Sequence, residues 1–286
     1  MYCSRRSVVA PALAALIAIG IGVPVNAQPP SKNIILATTT STQNSGLLDV
    51  LLPVFQKQTG YRVKPIAVGS GQALAMGARG EADVLLVHSP EAEGKLMAAG
   101  HGVNRTLVMH NDFVIVGPPG DPARIRSTAT GADAFRKIAA AQALFVSRGD
   151  QSGTHTRELA IWKAAGTVPV GVKWYQETGL GMGQTLGVAG DKQAYTLVDR
   201  GTWLALRKRL ALEILAERDR SLLNVYHVIT VNPARFPKAN GAGAEALSTF
   251  LVSPEAQAII AKFGVDRFGA PLFQPDAGRP EEQLGR

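Results

Sequence analysis

Apolar residues along this chain fall into short dense runs separated by longer stretches in which they recur every three or four positions. The runs at 34–37, 63–68, 83–87, 113–117, 143–146 and 225–231 have the length and β-branched content of buried strands. The stretches at 44–58, 71–79, 90–99, 131–141, 154–165, 185–189, 191–199 and 204–217 read as helices. Strands and helices in alternation predict an α/β fold with largely parallel sheets. Two extended stretches, 111–118 and 224–232, stand about a hundred residues apart and read as crossover strands. If the chain leaves one lobe near 112 and returns near 225, lobe I is 32–112 plus 225–275 and lobe II is 113–224, with a hinged cleft between them. The tail, 276–286, has too little apolar content to pack and is expected to fray.

The first residues stand apart from that pattern. Arg5 and Arg6 precede an apolar stretch from Val8 to Val23, and Val25-Asn26-Ala27 fits a small-residue cleavage site, so 1–27 is expected to be an export signal that is removed. Pro11, Gly20, Gly22 and Pro24 interrupt the ~20 solid apolar residues that a membrane anchor needs. The Arg5-Arg6 pair leaves both the Sec and the twin-arginine routes open. Cys3 is the one cysteine and precedes the apolar stretch, so the mature chain is expected to use no disulfide, structural zinc or thiol chemistry.

Charge narrows the partners. The formal balance is +8, and losing Arg5 and Arg6 takes Lys+Arg from 30 to 28 against 22 Asp+Glu, or +6. That excess suits nucleic acid, anionic membrane or small anions. The basic residues are scattered, and the densest cluster, Arg207-Lys208-Arg209, sits among apolar neighbours as on a solvated helix face, so nucleic acid is not expected.

Candidate chemistry lies where apolar strands end in small donors. Ile34-Ile35-Leu36-Ala37 runs into Thr38-Thr39-Thr40-Ser41-Thr42, and an N-cap needs only one such hydroxyl. Thr39, Thr40 and Ser41 are the leading donors; Thr38 stands behind them because alternate side chains of an extended turn point opposite ways. Val68-Gly69-Ser70-Gly71 is a second strand-to-helix turn, in which Gly71 and Gly69 let backbone N–H groups approach a ligand beside Ser70. It matches neither a dinucleotide fingerprint nor a P-loop. Ser147-Arg148-Gly149-Asp150-Gln151-Ser152-Gly153-Thr154 adds a cation: Arg148 offers a planar fork for an oxyanion, and Ser152, Gly153 and Thr154 open a helix. The competing reading of Arg148 is a surface ion pair with Asp150 or Glu158. A fourth turn, 179–186, brings in Gly183 and Thr185. Helix N-termini furnished in this way collect anions.

These motifs, in this order, resemble a known family. The runs ATTTSTQNSGLLDVLLPVF (37–55), AVGSGQAL (67–74), ADVLLVHSPEAE (82–93), GVNRTLVMHNDFVIVGPPGDPA (102–123), FVSRGDQSGTHTRELAIW (145–162) and AYTLVDRGTWLAL (194–206) are similar to the TupA family, periplasmic tungstate-binding proteins of ABC importers. The resemblance spans nearly all of the expected mature chain. It implies a type II periplasmic-binding-protein fold with the oxyanion between two α/β lobes, a periplasmic location, and delivery of tungstate or molybdate to a membrane permease with a cytoplasmic ATPase. It also implies that the family's hydroxyl turn and arginine fall on Thr38 to Ser41, Ser70, Arg148 and Ser152 to Thr154. Ser70 stands where the family often has Thr, which keeps the hydroxyl.

The residue chemistry agrees as far as it goes. Tungstate and molybdate carry no proton near neutrality, so a site made of donors suits them; the metal arrives inside the oxyanion, and neither a protein-bound metal nor a cofactor is expected. Phosphate keeps a proton that a carboxylate must accept, so a phosphate-binding protein of an ABC importer is the alternative, and it depends on Asp150. A secreted serine hydrolase would need Ser152 as nucleophile with His155 or His88 as base, yet Gly-x-Ser-x-Gly is absent. The histidines at 88, 101, 110, 155 and 227 lack metal-ligand spacing and read as structural or surface residues. The expectation is a monomeric carrier that is not an enzyme.

Overall fold

The structure is a computed structural model that describes residues 1–2 and 32–284. Residues 3–27 of the expected export signal lie outside the described residues. Among those described, no helix is long and apolar enough to cross a membrane. The order is β1 (Asn33–Thr39), α1 (Thr40–Ser45), α2 (Leu47–Thr59), β2 (Arg62–Val68), α3 (Ser70–Arg79), β3 (Val84–Val87), α4 (Pro90–Ala98) and β4 (Gly102–Gly117). It continues with α5 (Gly131–Ala140), β5 (Phe145–Ser147), α6 (Gly153–Ala164), β6 (Tyr175–Glu177), α7 (Met182–Asp191), β7 (Thr196–Asp199), α8 (Arg200–Leu206) and β8 (Glu213–Ala216). The last elements are β9 (Leu223–Val231), α9 (Gly241–Leu251), α10 (Pro254–Lys262), α11 (Val265–Phe268) and β10 (Gln274–Pro275).

The described residues from 32 to 284 lie in one compact unit, and its organisation follows β4. Residues Gly102 to Asp112 pair antiparallel with β9, and from Phe113 onward the same strand pairs with β7 and β8 instead. On the near side of this change the strand order is β10-β4-β9-β3-β1-β2. Alternate side chains there feed two apolar layers. Ile34, Leu36, Val84, Leu86 and Val228 pack with α2, α9 and α10, while Ala37, Leu85, Val87 and Ile229 pack with α3 and α4. On the far side, Phe113 and Ile115 join a core with Phe135, Ile161 and Trp162, and Val114 and Val116 face Leu186, Val198 and Trp203. Each part is therefore a sheet covered by helices on both faces.

The α/β class is as expected; the sheet is mixed and not largely parallel. β1 runs parallel to β2 and β3, and β5 to β6, but β9 is antiparallel to both β3 and β4, and β7, β8 and β10 are antiparallel to β4. The helix expected over 44–58 is broken at Gly46, whose φ of 82° closes α1 and opens α2; glycine adopts that left-handed conformation at no steric cost. The helices expected over 191–199 and 204–217 both end in strands, because Thr196-Leu197-Val198 and Ile214-Leu215 find backbone partners on β4. The tail is packed and not frayed as far as Leu284. β10 adds to β4, Asp276 is fully buried against His110 at 2.5 Å, and Leu284 packs on Leu223 and Val225.

Candidate functional site

Parallel strands place a helix start at each of their carboxyl ends, and four of those starts meet in one cleft. β1 leads into α1, β2 into α3, β5 through a short turn into α6, and β6 into α7. The N-caps are Thr39, Gly69, Ser152 and Gly181. None of the four helices has an acidic residue in its first turn. By contrast α2, α4, α5, α10 and α11 carry Asp49, Glu91 with Glu93, Asp133, Glu255 and Asp266 there. A helix N-terminus holds roughly half a positive charge; negative charge complements those five helices, α8 is capped by Asp199 and α9 by Asn240, while α1, α3, α6 and α7 turn N–H dipoles on the cleft without an acidic residue in the first turn.

The cleft encloses about 590 Å³. Of the residues expected from sequence, Thr39, Thr40, Ser41, Ser70, Arg148, Ser152, Gly153, Thr154 and Gly183 line it. Three do not. Thr38 is fully buried and donates to the Leu86 carbonyl at 2.7 Å, because the extended backbone turns it away from its neighbour Thr39. Thr185 is also fully buried, its hydroxyl held between Thr178 Oγ1 at 2.9 Å and the Leu180 carbonyl at 3.3 Å. Gly71 lies one residue past the start of α3, outside the lining.

Arg148 joins the ion pair foreseen as its competing role to a position in the cleft. Nη2 meets Asp150 Oδ2 at 2.5 Å and Nη1 meets Thr154 Oγ1 at 3.4 Å, whereas the buried Nε has no hydrogen-bond partner among the described residues. A guanidinium N–H without an acceptor in a buried position costs free energy that a bound anion recovers. Burial pushes the Asp150 carboxyl up, but the Ser152 hydroxyl and N–H and the Arg148 guanidinium together hold it below its usual value, so it stays an anion. The turn beneath it is tied twice more. Gly149 N donates to Ser147 Oγ, which donates to the buried Glu158 carboxylate, and Gln151 N donates to His155 Nδ1.

Sequence reasoning missed the strand residues on the cleft wall. His88 follows β3 and sets its Nε2 3.1 Å from Thr39 Oγ1 and 3.4 Å from Ser41 Oγ, its ring against Tyr226 at 4.7 Å. Asn224 Nδ2 donates to Asn111 Oδ1 and to the Tyr226 hydroxyl, and all three side chains line the cleft. The available signal was a single polar residue ending a fully apolar strand, as in Val84-Leu85-Leu86-Val87-His88.

Comparison with known proteins agrees with this architecture. A family model described as a PBP superfamily domain matches residues 24–255. The chain is 49% identical over 249 residues, 86% of its length and 87% of the relative's, to the tungstate-binding protein TupA of Peptoclostridium acidaminophilum. It is similar to the solved tungstate-binding protein TupA of Desulfovibrio alaskensis G20, with 46% identity, a TM-score of 0.79 and coverage of 86% of this chain and 99% of that one. It also matches a solved tungstate ABC transporter structure from Geobacter sulfurreducens, with 47% identity, a TM-score of 0.70 and coverage of 81% and 98%. With a shared domain model, such identities along most of both chains, and donor turns that the fold gathers into a single cleft, the chain belongs to the TupA family of the PBP superfamily.

Proposed function

We propose that this protein captures tungstate, with molybdate as the related ligand, in the periplasm and delivers it to the permease of an ABC importer. The observation that carries the reading is that α1, α3, α6 and α7 open on the cleft with no acidic residue in their first turns, joined by Arg148, whose Nε has no partner among the described residues. The similar proteins named as tungstate-binding support the choice of ligand. A dianion without a proton can accept on every oxygen. Charge-assisted hydrogen bonds contribute about 1.5–3 kcal/mol each, and six or seven of them, less the cost of ordering the cleft, reach about 12 kcal/mol, a nanomolar constant. Thr39, Thr40, Ser41, Ser70, Arg148, Ser152, Gly153 and Thr154 are the proposed ligand-binding residues.

Phosphate is disfavoured because Asp150 already accepts from Arg148 and from Ser152 N, which leaves it committed to neighbours rather than to a ligand proton. Turnover is disfavoured because Ser152 Oγ and His155 Nδ1 each accept a backbone N–H of the turn, from His155 and Gln151, so this ring nitrogen does not serve as a base for the Ser152 hydroxyl. The proposal includes two lobes, 32–112 with 225–275 and 113–224, that hinge where β4 changes partners, an exported monomer, and removal of 1–27. Calorimetric titration of the mature protein with tungstate, molybdate, sulfate and phosphate in parallel tests it. Tungstate is expected to bind at least about a hundredfold more tightly than phosphate, about 2.7 kcal/mol; tighter phosphate binding would overturn the reading.

A further inference from the structure

The hydroxyls of the first turn are not free to aim their protons at will. Thr39 Oγ1 accepts from Thr42 N at 3.3 Å and lies 2.7 Å from Thr42 Oγ1, 3.0 Å from Ser41 Oγ and 3.1 Å from His88 Nε2. Ser41 Oγ in turn lies 3.4 Å from the same ring nitrogen. Each hydroxyl has one proton and two lone pairs. Whether Ser41 offers the cleft a proton or a lone pair is therefore decided by the direction in which the chain His88–Thr39–Ser41 runs. If Nε2 is bare it accepts, the protons point from Ser41 through Thr39 toward the ring, and lone pairs face the cleft. If Nε2 carries a proton it donates to Thr39, the Thr39 proton passes to Ser41 Oγ or Thr42 Oγ1, and the Ser41 proton turns outward.

Only the second arrangement suits an oxyanion, whose oxygens are all acceptors. We propose that His88 is a positioning residue for the captured anion: in the bound state its Nε2 carries a proton and donates to the Thr39–Ser41 hydroxyl pair, which turns the Ser41 O–H into the cleft. The inference rests on the tungstate reading above. Its surroundings make the ring sensitive to such a choice. Burial pushes His88 down to about 4, Glu93 and Asn224 favour the protonated ring and Arg157 opposes it, so in the empty cleft the imidazole is neutral and carries one N–H. The ring is held in place by Tyr226 on one side and by the close approach of Gly153 on the other, which leaves proton position as its remaining freedom.

The test uses the mature chain and tungstate as the probe. Nitrogen NMR of histidine-labelled protein distinguishes a protonated from a bare Nε2, and the spectrum at saturating tungstate is expected to show His88 Nε2 protonated. A bare Nε2 in the bound state overturns the proposal, and this measurement does not depend on any variant folding. His88→Leu, which cannot donate, is expected to weaken tungstate by roughly tenfold or more, as loss of a hydrogen bond to a charged ligand does. His88→Gln, whose amide N–H can reach the hydroxyls, is expected to recover affinity to within about threefold of the original, since it restores that bond. Equal affinities for the Leu variant and the original chain would sink the role of His88. Failure of the original chain to bind tungstate at all would instead remove the functional reading on which the inference rests.

Discussion

Gly153 faces His88 across the cleft at a distance that would crowd a side chain: a β-carbon at 153 would stand 3.1 Å from His88 Cε1 and 3.3 Å from Ser70 Oγ, so those groups would have to give by a few tenths of an ångström. Gly153 is the first residue of α6, whereas His88 and Ser70 follow β3 and open α3. The bare backbone N–H groups of α6 can therefore approach the hydroxyls of the first two turns. Gly153→Ala places a methyl in that gap. It is expected to lower tungstate affinity about tenfold, about 1.4 kcal/mol, while the thermal midpoint stays within about 2 °C, since alanine suits a helix at least as well as glycine. Calorimetry and a melt on the same sample check both halves of this expectation.

Arg148 is bound to Asp150 more closely than to any hydroxyl, so the pair answers as a unit. Arg148→Ala removes the cation and leaves the Asp150 carboxylate, only 19% exposed, beside the cleft without its partner. Removing one member of a part-buried charge pair costs about 2–5 kcal/mol in binding, so tungstate affinity is expected to fall at least about thirtyfold. Arg148→Lys keeps the charge but loses the fork, and its affinity should lie between the two. An unchanged calorimetric constant for the Ala variant would remove Arg148 from the site.

Which parts of this are legible in the sequence follows from where the information lies in the chain. The turns at 38–42 and 147–154 stand out because several donors are contiguous at the end of an apolar strand, a local signal. Thr38 and Thr185 mislead because a hydroxyl that satisfies a neighbouring carbonyl looks the same in sequence as one that faces a ligand. The sheet direction is not legible: β9 lies between β3 and β4 through pairings across more than a hundred residues, and nothing local marks an antiparallel neighbour. β7 and β8 resemble helix in sequence because two buried apolar residues in each fit either period, and only their partner strand decides. The packed tail escapes notice for a different reason. Besides the packing of Leu284, it is held by polar contacts, Asp276 with His110 and Arg279, and Glu281 with Arg105, which an apolar count passes over.

Glu158 gives the stability of the protein a pH dependence whose sign is fixed by its burial. Burial pushes the carboxyl up to about 7, against the pull of Tyr175 Oη, Ser147 Oγ and Trp162 Nε1, which all donate to it. A folded pKa above the unfolded 4.5 means that the native state holds the proton more tightly. The contribution is therefore full below about pH 4.5 and is lost as pH rises through about 7. Glu158→Gln keeps the acceptor for Tyr175 and Trp162 and gives Ser147 a donor. Relative to the original chain it is expected to gain up to about 3 kcal/mol between about pH 5 and about pH 8, since each pH unit between the folded and unfolded titrations is worth about 1.4 kcal/mol. Urea denaturation at the two pH values measures the difference, and parallel curves for the two proteins would mean that Glu158 is ionised in the native state throughout.

A tetrahedral oxyanion fills only a few times the ~30 Å³ share of one water molecule, and the cleft measures about 590 Å³. Full coordination by donors from α1, α3 and α6 thus requires the proposed lobes to approach each other when the anion is bound. In the proposed hinge, the partner change of β4 is where this motion would be controlled. Arg200, the first residue of α8, holds both oxygens of Asp112 at 2.6 and 2.5 Å and reaches Glu217 at 2.7 Å, so a residue of α8 grips the strand one position before it passes to β7. Small-angle scattering with saturating tungstate is expected to show a smaller radius of gyration than without it. Arg200→Ala loosens the grip without touching the anion-binding residues and is expected to shift tungstate affinity by only about three- to tenfold, through the open–closed equilibrium, in the range of about 0.6–1.4 kcal/mol. Identical scattering profiles with and without ligand would mean that the cleft fills around the anion by local side-chain movement, and Arg200→Ala should then leave affinity unchanged.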